Sequence, residues 1–126
     1  MQKRRLGNST LDVSVVGLGS NNFGGRIDFA ATERALQFFV DNLPPDTIWN
    51  VSVMNPEKQW PILALAVALG GHVRVGYEDN PFIAPGEFAK NNAVLVERMV
   101  GISQRLGREV ATPAEARKIL GLERTQ

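Results

Sequence analysis

PILALAVALGGHVRVGYEDN, residues 61–80, is the stretch that decides the fold. Its first half places Ile62, Leu65, Ala66 and Leu69 on one stripe at helical spacing. Pro61 suits the first turn of that helix, where its missing N–H leaves no bond unmade, and Gly70-Gly71 suits its end. The second half alternates. His72 to Asp79 reads as a strand, with His72, Arg74, Gly76 and Glu78 on one face and Val73, Val75, Tyr77 and Asp79 on the other. A helix that runs straight into a strand is half of a parallel β-α-β unit. Charge along one face of such a strand means that the face meets either water or a substrate.

Upstream, Thr47 to Val53 reads as the preceding strand, with Trp49, Val51 and Val53 on one face. Ala31 to Leu43 has helical periodicity, and Pro44-Pro45 stops it. Val15 to Ser20 is a compact apolar run that reads as a buried strand, followed by a Gly- and Asn-rich loop to Asp28. Residues 4–6 and 11–14 read as two short strands around a turn at Gly7 to Thr10.

Downstream, a Pro- and Gly-containing loop precedes a long amphipathic helix from Ala89 to Leu106, with Val96, Met99, Val100 and Ser103 on one side and Gly107 at its end. Thr112-Pro113-Ala114-Glu115 has capping-box spacing and starts a short helix to Leu120, stopped by Gly121. The expected order is a hairpin, three β-α units and a final helix, in a single α/β domain over residues 1–126. Trp49 and Trp60 are expected in the core rather than against a ligand. The Asn91-Asn92 pair is expected to start a helix.

Composition narrows the function classes. The chain has 126 residues, 44% hydrophobic and 21% charged, the balance of one globular domain. Fourteen basic and 13 acidic residues give a net charge of +1, no electrostatic case for nucleic acid or an anionic membrane. The cluster at Lys3 to Arg5 is short and reads as a solvated terminus. With no cysteine there is no disulfide, thiolate nucleophile or cysteine-held zinc. The apolar run from Ile62 to Leu69 is far short of the roughly 20 residues that span a bilayer. Residues 1–20 lack the apolar core of a signal peptide. The expectation is a soluble, cytoplasmic protein. Gly17-Leu18-Gly19-Ser20-Asn21-Asn22 begins like a dinucleotide fingerprint but has Asn22 where the third glycine belongs.

Two longer patterns carry resemblances. Arg4 to Ser20, followed by Asn22-Phe23-Gly24-Gly25, resembles the opening of the aldo-keto reductases, over residues 3 to about 36. That family begins with a β-hairpin closing the bottom of a TIM barrel. The resemblance implies a barrel, but the family's catalytic Asp, Tyr, Lys and His have no matching positions here, so NADPH is not expected. From residue 36 to 122 the chain instead resembles the C-terminal part of the β-keto acid cleavage enzymes. The matching residues are Leu43-Pro44-Pro45 with Trp49, Ala68 to Asn80, Asn92-Ala93 with Leu95-Val96-Glu97, and Leu106 to Arg117.

This second resemblance implies a zinc-dependent TIM barrel that uses acetyl-CoA to cleave a β-keto acid. By position it makes Glu78 a zinc ligand, Arg74 the residue that holds the substrate carboxylate, and Asp79 the catalytic acidic residue paired with it in proton transfer. The family's two further zinc ligands are a His-x-His pair, which the chain's single histidine, His72, cannot supply. Zinc binding is therefore expected to be weak or absent, and Asn55 to Trp60 departs from the Gly-rich segment expected to face CoA. On a continuous strand Arg74 and Glu78 would stand about 13 Å apart and need not pair.

The expectation is a partial TIM barrel, a fragment or chimera joined near Ala35-Leu36 (residues 1–36 and 37–126), without catalysis of its own. Residual β-keto acid cleavage or carboxylate binding at Arg74, Glu78 and Asp79 is the alternative, and a remnant NADPH-dependent reductase a second. An open parallel sheet has bare edges, so self-association into a homo-oligomer is expected.

Overall fold

A computed structural model describes residues 3–5, 12–14 and 28–122. The chain divides into two compact units, residues 1–20 with 110–126, and residues 21–109. In the first, β1 (Lys3–Arg5) pairs antiparallel with β2 (Asp12–Ser14), Lys3 opposite Ser14 and Arg5 opposite Asp12. This is the expected hairpin. The turn between its strands lies outside the described residues, as does the strand expected at Val15 to Ser20.

The second unit opens with α1 (Phe29–Asp41). It begins two residues before its apolar periodicity because Asp28 is a good cap: its Oδ1 accepts from the amide of Ala31 at 2.6 Å. The Asn42 side chain donates back to the carbonyl of Phe38, and the prolines at 44 and 45 prevent continuation.

Next comes the unit that the opening stretch announced. β3 (Asn50–Val51) and β4 (His72–Val73) are parallel neighbours, joined by α2 (Gln59–Ala68). The amides of His72 and Arg74 donate to the carbonyls of Trp49 and Val51, both at 2.9 Å. The buried side of α2 is Gln59, Trp60, Ile62, Leu63, Ala66 and Val67, while Leu65 and Leu69 are half-buried. The expected stripe is corrected because α2 is apolar nearly all round, so periodicity alone defines no single face. It packs on β3 and β4 and also meets α1 and α3 (Asn92–Arg105).

The end of α2 is specified by its two glycines. Gly70 adopts φ +88°, the Gly70 amide donates to Val67 and the Gly71 amide to Ala66, which satisfies two carbonyls of the last turn. Gly71 has a second reason. A Cβ there would lie 2.4–2.7 Å from the ring of Trp49, so the indole packs where a side chain would otherwise stand.

Two further expectations are corrected. The strand expected over His72 to Asp79 keeps its ladder only at His72–Val73. Beyond Val75 the chain turns, and the Gly76 carbonyl accepts from the amides of both Asp79 (3.1 Å) and Asn80 (2.9 Å). The segment expected as a loop folds as a hairpin, β5 (Phe82–Ala84) and β6 (Glu87–Phe88), across Pro85-Gly86. Helix α3 starts later than Ala89 because Asn91 caps it, accepting from the amide of Val94 at 3.1 Å. Its buried side is Leu95, Met99 and Ser103; Met99 and Ser103 lie on the expected side, whereas Val96 is 49% exposed and Leu95 is buried in its stead.

The core of this unit gathers Val53, Trp60, Ile62, Leu63, Leu95 and Met99. Leu63 and Leu95 are fully buried, and each such side chain stabilises the fold by about 1.5–3 kcal/mol. In the other unit, α4 (Pro113–Ile119) carries the capping box that its sequence predicts. Thr112 Oγ1 accepts from the Glu115 amide at 3.3 Å, and Glu115 Oε2 accepts from the Thr112 amide at 2.8 Å.

Candidate functional site

The carboxyl end of β4 delivers Arg74 to the site. Its amide is still bound to β3, which fixes where the side chain leaves the sheet. The turn at residues 76–80 then reverses the chain and returns Asp79 to it. Arg74 Nε donates to Asp79 Oδ2 at 2.8 Å and Arg74 Nη2 to Asp79 Oδ1 at 2.6 Å, a two-pronged fork. Strand alternation puts these residues on opposite faces. The turn cancels that separation.

The pair is asymmetric. The Asp79 side chain is 5% exposed and that of Arg74 is 59% exposed, so the carboxylate is tucked in and the guanidinium faces out. The pKa of Arg74 is raised above its ordinary value, first by the hydrogen bonds to Asp79, then by its charge, with Glu78 adding less. A guanidinium carries five N–H donors. Asp79 takes two, which leaves three for a second acceptor.

Glu78 stands in the same turn, exposed, with its carboxylate folded over Gly76; a Cβ on Gly76 would lie 2.8 Å from Glu78 Oε2. Sequence spacing along an extended strand therefore gives the wrong geometry for Glu78. His72 is exposed on β4, opposite Asn50.

Zinc at a catalytic site is ordinarily held by three protein ligands. Glu78 is one carboxylate, and among the described residues no three His, Cys, Asp or Glu side chains stand together to hold a metal. The residues present do not fit a zinc ion by themselves.

Two asparagines and a tyrosine hold the turn, and none of them belongs to the expected site. Asn92 Oδ1 accepts from the Tyr77 amide at 3.0 Å. The Tyr77 hydroxyl donates to the carbonyl of Ala89. Asn80 is 2% exposed; its Nδ2 donates to the Val53 carbonyl at 3.4 Å, and its Oδ1 accepts from the Phe82 amide at 3.1 Å. The only sequence signal for them is the density of asparagine around the charged residues.

Trp60 lies in the core, as expected, whereas Trp49 is half-buried with its ring over Gly71. Trp60 is buried, its indole N–H donates to Ile83 at 2.8 Å, and the Arg98 guanidinium lies 4.7 Å from the ring while donating to the same carbonyl. The stretch from Asn55 is a turn in which Asn55 Oδ1 accepts from the amides of Glu57 and Lys58.

Parallel β-α-β connectivity with an ion-paired arginine just past the second strand defines the class. This is a mixed α/β protein in which Arg74, Glu78 and Asp79 follow the second of two parallel strands. The chain belongs to the beta-keto acid cleavage enzyme family, whose model matches residues 9–122. That match spans Ala35 and Leu36, where the sequence reading places a joint.

The chain is 45% identical over 98 residues to 3-keto-5-aminohexanoate cleavage enzyme of Fusobacterium nucleatum, covering 78% of this chain and 36% of that protein. It is 46% identical over 95 residues to the protein of the same name from Acetoanaerobium sticklandii, covering 75% and 34%. To 3-oxoadipate:acetyl-CoA acetyltransferase of Cupriavidus necator it is 37% identical over 92 residues, covering 71% and 32%. It thus spans about a third of the length of the curated relatives it matches. Among the described residues no helix is long and apolar enough to cross a membrane.

Proposed function

We propose that Arg74, Asp79 and Glu78 form one wall of a site for a β-keto acid, on a slice of a TIM barrel. In such barrels the loops after the strands carry the chemistry, and this turn follows β4 directly. The observation that carries the reading is the fork between Arg74 and Asp79, whose outward guanidinium keeps three free donors. Those donors are the means to hold a substrate carboxylate. Asp79, bound to the same guanidinium, is the partner in proton transfer, since each of its oxygens keeps a second lone pair. Glu78 offers a metal ligand.

The names of the relatives support the substrate class, and one of them supports acetyl-CoA as the co-substrate. Turnover requires walls that these three residues do not provide, so the chain binds a β-keto acid without cleaving it unaided. Among the described residues β3 and β4 pair only with each other, and self-association into a homo-oligomer is the proposed route by which their outer edges are covered. Chimeric origin of residues 3–36 rests on their resemblance alone. NADPH binding is not expected, and an NADPH fluorescence titration checks this.

Native mass spectrometry with zinc calorimetry tests the assembly and the metal together. The reading expects a mass of two or more copies, and any zinc that the assembly takes up to be held more weakly in Glu78→Gln. A clean monomer at micromolar concentration removes the self-association. Equal zinc binding by the wild type and Glu78→Gln removes the metal role.

A further inference from the structure

We infer that Asn92 is a positioning residue for this site, working with Asn80 to hold the turn that presents Glu78 and Asp79 to Arg74. Within itself the turn has two backbone hydrogen bonds, both to the single carbonyl of Gly76. Everything else that fixes it comes from outside. Asn92, the first residue of α3, reaches across to the Tyr77 amide, in the residue just before Glu78. Asn80, at the far end of the turn, is tied to the chain just past β3 through Val53 and to the start of β5 through Phe82. The turn is therefore gripped at its second and last residues by elements of the core.

The chemistry suits the task. A carboxamide offers an acceptor and donors without charge, so it can hold the chain on either side of Glu78 and Asp79 without competing for Arg74. A fork of two short hydrogen bonds tolerates little displacement. If the turn drifts, Asp79 leaves the guanidinium. Asn91 supplies a natural comparison: its side chain caps the same helix, accepting from the Val94 amide rather than from the turn.

The functional consequence rests on the reading of Arg74, Glu78 and Asp79 as a site, but the test needs no ligand. Hydrogen exchange by NMR on the full chain reads the Tyr77 amide and the Arg74 Nε–H. In Asn92→Ala both are expected to exchange roughly tenfold faster, while the amides of α2 keep their wild-type rates. Asn92→Asp keeps an acceptor oxygen and should restore the wild-type rate of the Tyr77 amide. Asn91→Ala should weaken the start of α3 and leave the Tyr77 amide and Arg74 Nε–H unchanged. The proposal is overturned if Asn92→Ala leaves both probes unmoved, or if Asn91→Ala moves them equally.

Should Asn92→Ala not fold, the wild-type protein decides. Protection of the Tyr77 amide comparable to that of Val94 supports the grip, and exchange at the rate of an unstructured peptide overturns it. A failure of acetoacetate to bind would count against the site reading and leave the exchange result standing.

Discussion

Arg74 and Asp79, five residues apart, grip each other through two parallel hydrogen bonds of 2.8 and 2.6 Å, although strand alternation would place them on opposite faces. The guanidinium is thus half of an ion pair before any substrate arrives. A second carboxylate must use the donors that Asp79 leaves free. Asp79→Asn removes the resident counter-charge and should tighten acetoacetate binding by up to roughly fivefold, most at low salt. Arg74→Lys replaces a planar fork with a point charge and should weaken it roughly tenfold. Calorimetry on both variants checks the two opposite signs.

Gly71 is a packing glycine. Its missing Cβ is the space that the Trp49 ring occupies. Gly71→Ala must push the ring aside, and we expect a loss of about 1–3 kcal/mol in urea unfolding, with Trp49 fluorescence shifted in the folded state. Gly86→Ala meets no atom within 4 Å, so its cost should be limited to the strain of its φ of +77°.

Much of this architecture is legible in sequence because it is written in local signals. Thr112 caps α4 as its spacing predicts, and Gly70, Gly107 and Gly121 follow helix ends at positive φ; the caps Asp28 and Asn91 are equally local, although periodicity alone starts α1 two residues late and α3 three residues early. Such signals need no knowledge of the rest of the fold.

The site is less legible because its geometry is tertiary. The alternation from His72 to Asp79 continues on paper, yet the chain turns at Gly76, where Asn92 binds Tyr77 from 15 residues away and Asn80, within the turn, binds Val53, 27 residues back. The β5–β6 hairpin was hidden for a related reason: Pro85-Gly86 marks a turn, but Phe82 and Phe88 declare themselves as a pair only when their rings meet, 4.5 Å apart. The burial of α2 was legible as apolar but not as directional.

Trp60 ties the hairpin to α2. Trp60→Phe keeps the ring and removes the indole N–H bond to Ile83, leaving Arg98 as the remaining side-chain donor to that carbonyl. We expect a loss of about 1–2 kcal/mol and faster exchange in β5, measured by denaturation and hydrogen exchange.

Glu115 in the α4 capping box has a pKa lowered by its bond from the Thr112 amide and then by the Thr112 hydroxyl. A folded pKa below the unfolded one means that the contribution is complete above the ordinary glutamate value of about 4.3 and is lost as pH falls through the lowered value. The first turn of α4 should therefore fray only at pH below the ordinary glutamate range. Glu115→Gln keeps an acceptor and should abolish this pH response of the Thr112 amide shift.

The central claim is that Arg74 holds a carboxylate beside Asp79 and Glu78. The most direct measurement is an NMR titration of the isotope-labelled chain with acetoacetate, following the Arg74 Nε–H and the amides of residues 74–80. The account predicts saturable shifts confined to this turn and lost in Arg74→Gln. Shifts that persist in Arg74→Gln, or no shift at these residues, would contradict it.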